Sequence, residues 1–426
     1  MKVLWLCNLM PSIVAKALKK TATNKEGWIL GMANQVMKNN DLQLALAFPV
    51  QEEAVHGEVD GIQYYGFPED SNHPEQYDAT LESALGFICE EFHPDVIHCF
   101  GTEYPHTLAM LRIKEWKSKV LVHIQGVIEL YAKEYCTGLP EDVVEAATFR
   151  DVLKKDSIWQ QKEKFIARGE HERDVFRLAE QVCGRTDFDK NYVAQVNPSC
   201  MYYPLNETLR PEFYGHRWDS EKCRKHSIFV AQGNYPIKGL HFMLEALATI
   251  RDAYPDVHLY VAGDCITAYG TLKEKIKLSA YGKYLRNLVQ KHGLEENVTF
   301  LGSLGVGEIL KQYLNSHVYV IPSVLENSPN SLGEAMLLGM PCVASRVGGI
   351  PSLATEDKEV LMYDLEDTKA LAEHVLRLFE DEKYAGELGA AAAARANLTH
   401  DAQANYKMLC WIYETIAKQT ERHVNK

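Results

Sequence analysis

No apolar run in this chain approaches the ~20 residues a membrane-crossing helix needs. No two of its 10 cysteines form a C-x-x-C pair, and no zinc-ligand spacing appears. Cys7, Cys89, Cys99, Cys183 and Cys265 lie in or beside apolar runs, so they read as small hydrophobes of a reducing compartment. Basic clusters are scarce too. A formal net charge of -13 excludes a broad nucleic-acid-binding surface, which needs clustered Lys and Arg. Lys16, Lys19 and Lys20 are a local exception, read as a solvated helix end or as a peripheral membrane contact. The apolar start at Met1–Cys7 is short, lacks a small-residue cleavage site and soon meets Asn8 and Pro11. It reads as a first buried strand and not as a secretory leader. The expectation is a cytoplasmic chain, with any membrane association peripheral at the inner face.

Ordinary folded-protein material is present, with 46% hydrophobic and 24% charged residues. At roughly 100–200 residues per domain, 426 residues suggest two domains. Short apolar runs alternate with longer helix-like segments, as in βα units of parallel sheets. In the first half the runs are Val3–Cys7, Gln43–Phe48, Ile62–Phe67, Val96–Cys99, Val120–Gln125, Gln181–Arg185 and Cys200–Tyr203. In the second they are Ser227–Ala231, Val257–Ala262, Val298–Leu301, Val318–Ile321 and Pro341–Ala344. The boundary falls in the irregular stretch Pro204–Ser220. This predicts domains over 1–205 and 206–400, and a final helix over 401–426 packing back on the first. Its stripe of Tyr406, Met408, Leu409, Trp411, Ile412 and Ile416 requires burial.

The most informative stretch runs from Pro322 to Met336, after the run Val318–Ile321. Glu326 falls in a polar loop at the strand's C-terminal edge. Pro329 then opens a helix whose first amides, near Asn330, Ser331 and Leu332, lack intrahelical acceptors. Those amides and the helix dipole suit a diphosphate. Glu334, one turn in, can accept from a ribose diol, and Glu326 from a second polyol.

Glu326 and Glu334, separated by seven residues in this strand–loop–helix setting, resemble the E-x7-E motif of retaining family 4 glycosyltransferases. Gly339-Met340-Pro341-Cys342-Val343-Ala344-Ser345 and Gly348-Gly349-Ile350-Pro351 resemble that family's continuation. The resemblance implies the α/β GT-B fold, two Rossmann-like doubly wound domains facing each other across a cleft. It further implies a nucleotide-sugar donor, UDP- or GDP-linked, and a glycan or lipid-linked acceptor. No cofactor and no metal are implied.

In such enzymes an Arg and a Lys clamp the diphosphate. Lys238 matches the Lys, whereas the Arg position falls on Gln232 or Gly233, and Arg346 or Lys273 could substitute. Gly263 resembles a strand end lining the nucleotide pocket, and Leu301 and Gly302 a base-contacting strand end. In the first half, Gly101, Thr102 and Glu103 resemble an acceptor-side segment of polysaccharide-pathway members. Gln125 holds the place of a catalytic His, with His123 two residues before on the same strand face; either can serve. Gly27 resembles a glycine loop beneath the cleft or is an ordinary helix start. Asn206, Glu207 and Arg210 fit the same sub-pattern without an assigned role. Asp187-Phe188-Asp189 is a literal D-x-D, read as a helix cap more readily than a metal site. A nucleotide-sugar epimerase and a non-catalytic nucleotide-sugar-binding subunit are the alternative functions.

Overall fold

The computed structural model describes residues 1–20, 27–39 and 42–424. They form two compact units. The first comprises Met1–Leu130, Lys164–Arg210 and His400–Lys426, the second Tyr131–Glu163 and Pro211–Thr399. The continuous first domain read over 1–205 therefore lends Tyr131–Glu163 to the second unit. Polar bonds tie that excursion there: Asp151 Oδ2 accepts from the Ala280 amide at 2.8 Å.

The first unit holds eight strands: β1 (Lys2–Leu6), β2 (Gln43–Val50), β3 (Val55–Val59), β4 (Ile62–Pro68), β5 (Val96–Phe100), β6 (Val120–His123), β7 (Gln181–Gly184) and β8 (Met201–Pro204). Their order is β3-β4-β2-β1-β5-β6-β7-β8, parallel except for β3 against β4. β3 was not anticipated from the sequence, because its alternating half-exposed residues carry no apolar run. β1 shows why the sheet is covered on both faces. Leu4 and Leu6 join one apolar cluster while Val3, Trp5 and Cys7 join the other.

The final helix, Ala402–Val424, lies on the second of those clusters through Tyr406, Leu409, Ile412, Tyr413 and Ile416. Trp5 Nε1 donates to Tyr413 Oη at 2.9 Å. Met408 and Trp411 are exposed instead, because a 3.6-residue period turns them off that face.

The second unit holds β9 (Arg224–Val230), β10 (His258–Ala262), β11 (Val298–Gly302), β12 (Ser316–Ile321), β13 (Cys342–Ser345) and β14 (Leu361–Tyr363). All pair in parallel, in the order β11-β10-β9-β12-β13-β14. Strand order reverses between β9 and β12. In doubly wound sheets, ligands bind beyond the C-terminal strand ends at such a reversal. The segments leaving those two ends carry Lys238 and Glu326.

Candidate functional site

β12 is buried along its whole length, so its C-terminal end is fixed. The loop beyond it turns Glu326 inward, leaving the residue 6% exposed. Glu326 Oε1 accepts from Lys238 Nζ and from Ser323 Oγ, each at 2.7 Å. Lys238 sits on a tight turn, Pro236–Lys238, that follows β9. Burial alone would push its ammonium pKa down. The Glu326 carboxylate, backed by Tyr235 and Tyr131, outweighs that and holds the pKa well above the ordinary lysine value.

Two glycines make this geometry possible. Gly239 has φ +64, and a Cβ there would lie 1.8 Å from the Pro322 carbonyl oxygen. Gly348 has φ +51, and its Cβ would lie 2.0 Å from the Glu326 carbonyl oxygen. That oxygen instead accepts the Gly349 amide at 2.9 Å. The Gly348-Gly349 pair thus lets its loop pass directly against the glutamate backbone.

The helix Asn330–Leu337 begins after Pro329 with no side-chain cap. The Leu332 amide donates to the Pro329 carbonyl at 3.1 Å, so this amide is engaged within the helix's own first turn. Tyr313 Oη donates to the Ser331 carbonyl at 3.0 Å. Glu334 is 4% exposed, on the first turns of this helix.

Gln232 is exposed after β9, whereas Gly233 is buried. A Cβ at Gly233 would come within 2.6 Å of the Leu240 Cδ2 methyl and 3.0 Å of the Val261 Cγ1 methyl, so an arginine there would require those methyls to shift. Arg346 does not replace it: Glu356 holds its guanidinium on two nitrogens and Asp364 takes the third at 2.9 Å. Lys273 lies on a separate exposed helix, Leu272–Lys277. Gly263 and Gly302 meet at the ends of β10 and β11, where the Gly263 amide donates to the Gly302 carbonyl at 3.0 Å, and Leu301 precedes them on β11.

Sequence reasoning missed two partners of Glu326. Ser323 was findable, three residues away in the same loop. Tyr131 was not, because it comes from the excursion. Its hydroxyl accepts the Asn327 amide at 3.0 Å, and burial first, then Glu326, raises its pKa well above a phenol's.

In the first unit, Glu207 gathers the polar residues. Gln125 lies beyond the end of β6, and its Nε2 donates to Glu207 Oε1 at 3.1 Å. His123 Nε2 stands 3.6 Å from the same oxygen, and Arg185 Nη1 stands 3.5 Å from Oε2. His123 is fully buried, and burial pushes its pKa down to about 4, against the pull of Glu207. It stacks on His98 at 5.3 Å with planes 8° apart. His98, His123 and Cys183 place ligand atoms within 4.8 Å of one another. His98 Nδ1 is hydrogen-bonded to Tyr413 Oη at 2.6 Å, and Cys183 Sγ lies 3.8 Å from His98 Nε2.

Thr102 is buried, with its hydroxyl on Glu172 Oε1, and Glu103 is paired with Arg168 at 3.0 Å. Gly101, with φ +96, precedes them. Gly27 starts the helix Gly27–Asn39, while Lys25 and Glu26 lie outside the described residues. Thr186, not Asp187, caps the helix Asp187–Val196, in a capping box with Asp189. Asp189 also accepts from Tyr202 Oη at 2.6 Å, so the D-x-D triplet is helix-start structure.

Residues 216–395 match the family model for glycosyl transferases group 1. D-inositol 3-phosphate glycosyltransferase of Corynebacterium urealyticum is 31% identical over 146 residues, 34% of this chain and 33% of that protein. The chain thus spans about a third of that relative's length. Sucrose-phosphate synthase from Thermosynechococcus elongatus matches in structure with TM-score 0.71 and 14% identity, over 98% of this chain and 99% of that one. Anabaena HepE in complex with UDP-glucose matches with TM-score 0.67 and 15% identity, over 97% and 100%. The fold is that of the GT-B glycosyltransferases, and the family match supports a group 1 glycosyltransferase.

Proposed function

We propose that the protein moves a hexosyl unit from a UDP- or GDP-sugar to a glycan or lipid-linked acceptor, with retention at the anomeric carbon, in surface polysaccharide biosynthesis. The observation that carries this is the Lys238–Glu326 pair at the strand reversal of the second unit. A bound diphosphate offers Lys238 a stronger partner than one carboxylate, and charge developing on the leaving phosphate strengthens that contact in the transition state. Glu326 is then released to accept hydroxyls of the donor sugar. Glu334 holds the ribose, and the Asn330 and Ser331 amides add donors to the phosphates. The bond from anomeric carbon to diphosphate oxygen breaks, and the bond to the acceptor oxygen forms on the same face. The acceptor proton passes to the leaving phosphate oxygen, so no protein nucleophile is assigned. Charge neutralisation falls to Lys238 and backbone amides, and no divalent metal is called for.

Turnover of UDP- and GDP-sugars in the presence of a membrane-glycan acceptor pool tests this, with wild type beside Glu326→Ala. Equal rates would remove Glu326 from the reaction. A donor-only arm separates an epimerase, which needs no acceptor. One observation favours a second reading, a non-catalytic nucleotide-sugar-binding subunit: Gln232 and Gly233 stand where the clamp arginine would fall. Donor binding without any turnover would select it.

A further inference from the structure

Two short helices of the second unit, Phe149–Lys154 and Leu272–Lys277, pack side by side. An amphipathic helix ordinarily turns its apolar face to a core. These do the reverse. Phe149, Val152 and Leu153 are 68%, 67% and 72% exposed, and Leu272 and Ile276 are 75% and 45% exposed.

Polar bonds hold the helices in place instead. The first is capped by Thr148 with Asp151, and buried Asp151 also accepts from the Ala280 amide. The second is capped by Thr271 with Glu274, whose Oε2 accepts the Thr271 amide at 2.8 Å. Their acidic side chains are thereby occupied in the fold. Lys154, Lys155, Lys273, Lys275 and Lys277 are all exposed. On a chain of net charge -13, this face is a local reversal of sign.

Exposed apolar side chains ringed by lysine suit one kind of partner. Protein interfaces are depleted in lysine. An anionic bilayer takes apolar side chains into the headgroup boundary, while lysine stems snorkel to the lipid phosphates. We infer that the face made by Phe149–Lys154 and Leu272–Lys277 docks peripherally on an anionic lipid bilayer. This does not depend on the glycosyl-transfer reading.

Flotation of the full chain with vesicles tests it. Wild type should float with vesicles of equal parts phosphatidylglycerol and phosphatidylcholine, less so at high salt, and not with phosphatidylcholine alone. Lys154→Gln/Lys273→Gln/Lys277→Gln should weaken partitioning roughly a hundredfold. Leu153→Ser/Leu272→Ser should weaken it roughly tenfold or more. Both variants alter exposed side chains, so their melting temperatures should match wild type. Three results would overturn the inference: no binding by wild type, retention of binding by both variants, or a loss produced instead by Lys16→Gln/Lys19→Gln/Lys20→Gln. A concentration-dependent dimer that Leu153→Ser/Leu272→Ser abolishes, without vesicle binding, would overturn it too and make the face a self-interface.

Discussion

Lys238 Nζ and Glu326 Oε1 lie 2.7 Å apart, with side chains 16% and 7% exposed. Each is the other's neutralising charge at the end of the sheet. Removing one partner of a buried pair leaves an uncompensated charge and costs about 3–5 kcal/mol, while removing both together costs much less. Lys238→Met and Glu326→Gln should each lower unfolding stability on that order, partly offset by water reaching the loop. The double variant should regain most of the loss. Urea unfolding of all four proteins measures the coupling, and strictly additive losses would mean the pair is not a unit.

Gly239→Ala should destabilise by about 2–4 kcal/mol, since φ +64 already disfavours an L side chain and the new Cβ meets the Pro322 carbonyl. Because Lys238 and the Pro322 loop both move in response, donor turnover should fall as well. Thermal unfolding and turnover at saturating donor check the two effects. An alanine variant as stable as wild type would show that the close approach is not fixed.

Acid should unfold the protein early. Burial first pushes His123, His241, His317 and His400 each from 6.5 down to about 4. As pH falls from 6.5 toward 4, the unfolded chain binds protons that the folded one refuses. The stability contributed by keeping these rings neutral and buried is therefore full above pH 6.5 and is lost across that window. The melting temperature should drop on the order of 10 °C between pH 7 and pH 5. A flat profile there would contradict neutral burial of these rings.

Glu172 behaves in the opposite sense. Burial first, then Glu103, raises its pKa from 4.5 to about 8, against hydrogen bonds from Thr102 and the Glu129 amide. The folded chain keeps a proton that the unfolded chain has released, so stability falls as pH rises from 4.5 through 8. Glu172→Gln has no proton to lose. Its melting temperature should exceed wild type by roughly 5 °C at pH 9 and by little at pH 5. An equal difference at both values would mean the proton is not involved.

The sequence was readable where a local pattern dictates the element. The apolar runs Val318–Ile321 and Val257–Ala262 fall on the strands Ser316–Ile321 and His258–Ala262, because a parallel sheet covered on both faces demands apolar residues along its strands. The Glu326 loop was legible because strand end, proline and helix start lie within a few residues. What escaped depended on tertiary contact. Tyr131 reaches Asn327 from nearly two hundred residues away, through an excursion whose own pattern is plain surface helix. Glu207 gathers Gln125 and His123 from the end of β6 and Arg185 from the end of β7, and no spacing announces that. Gly233, one of the two places where the arginine would fall, packs against Leu240 and Val261, and no local pattern announces that contact.

The most direct test of the donor site is calorimetric titration of UDP and GDP against wild type and Lys238→Ala. At least one diphosphate should bind wild type. Loss of Lys238, a charge-assisted contact worth about 1.5–3 kcal/mol, should weaken that binding roughly tenfold to a hundredfold. Binding of neither nucleotide to wild type, or equal affinity for the variant, would contradict a diphosphate-sugar site at Lys238 and Glu326.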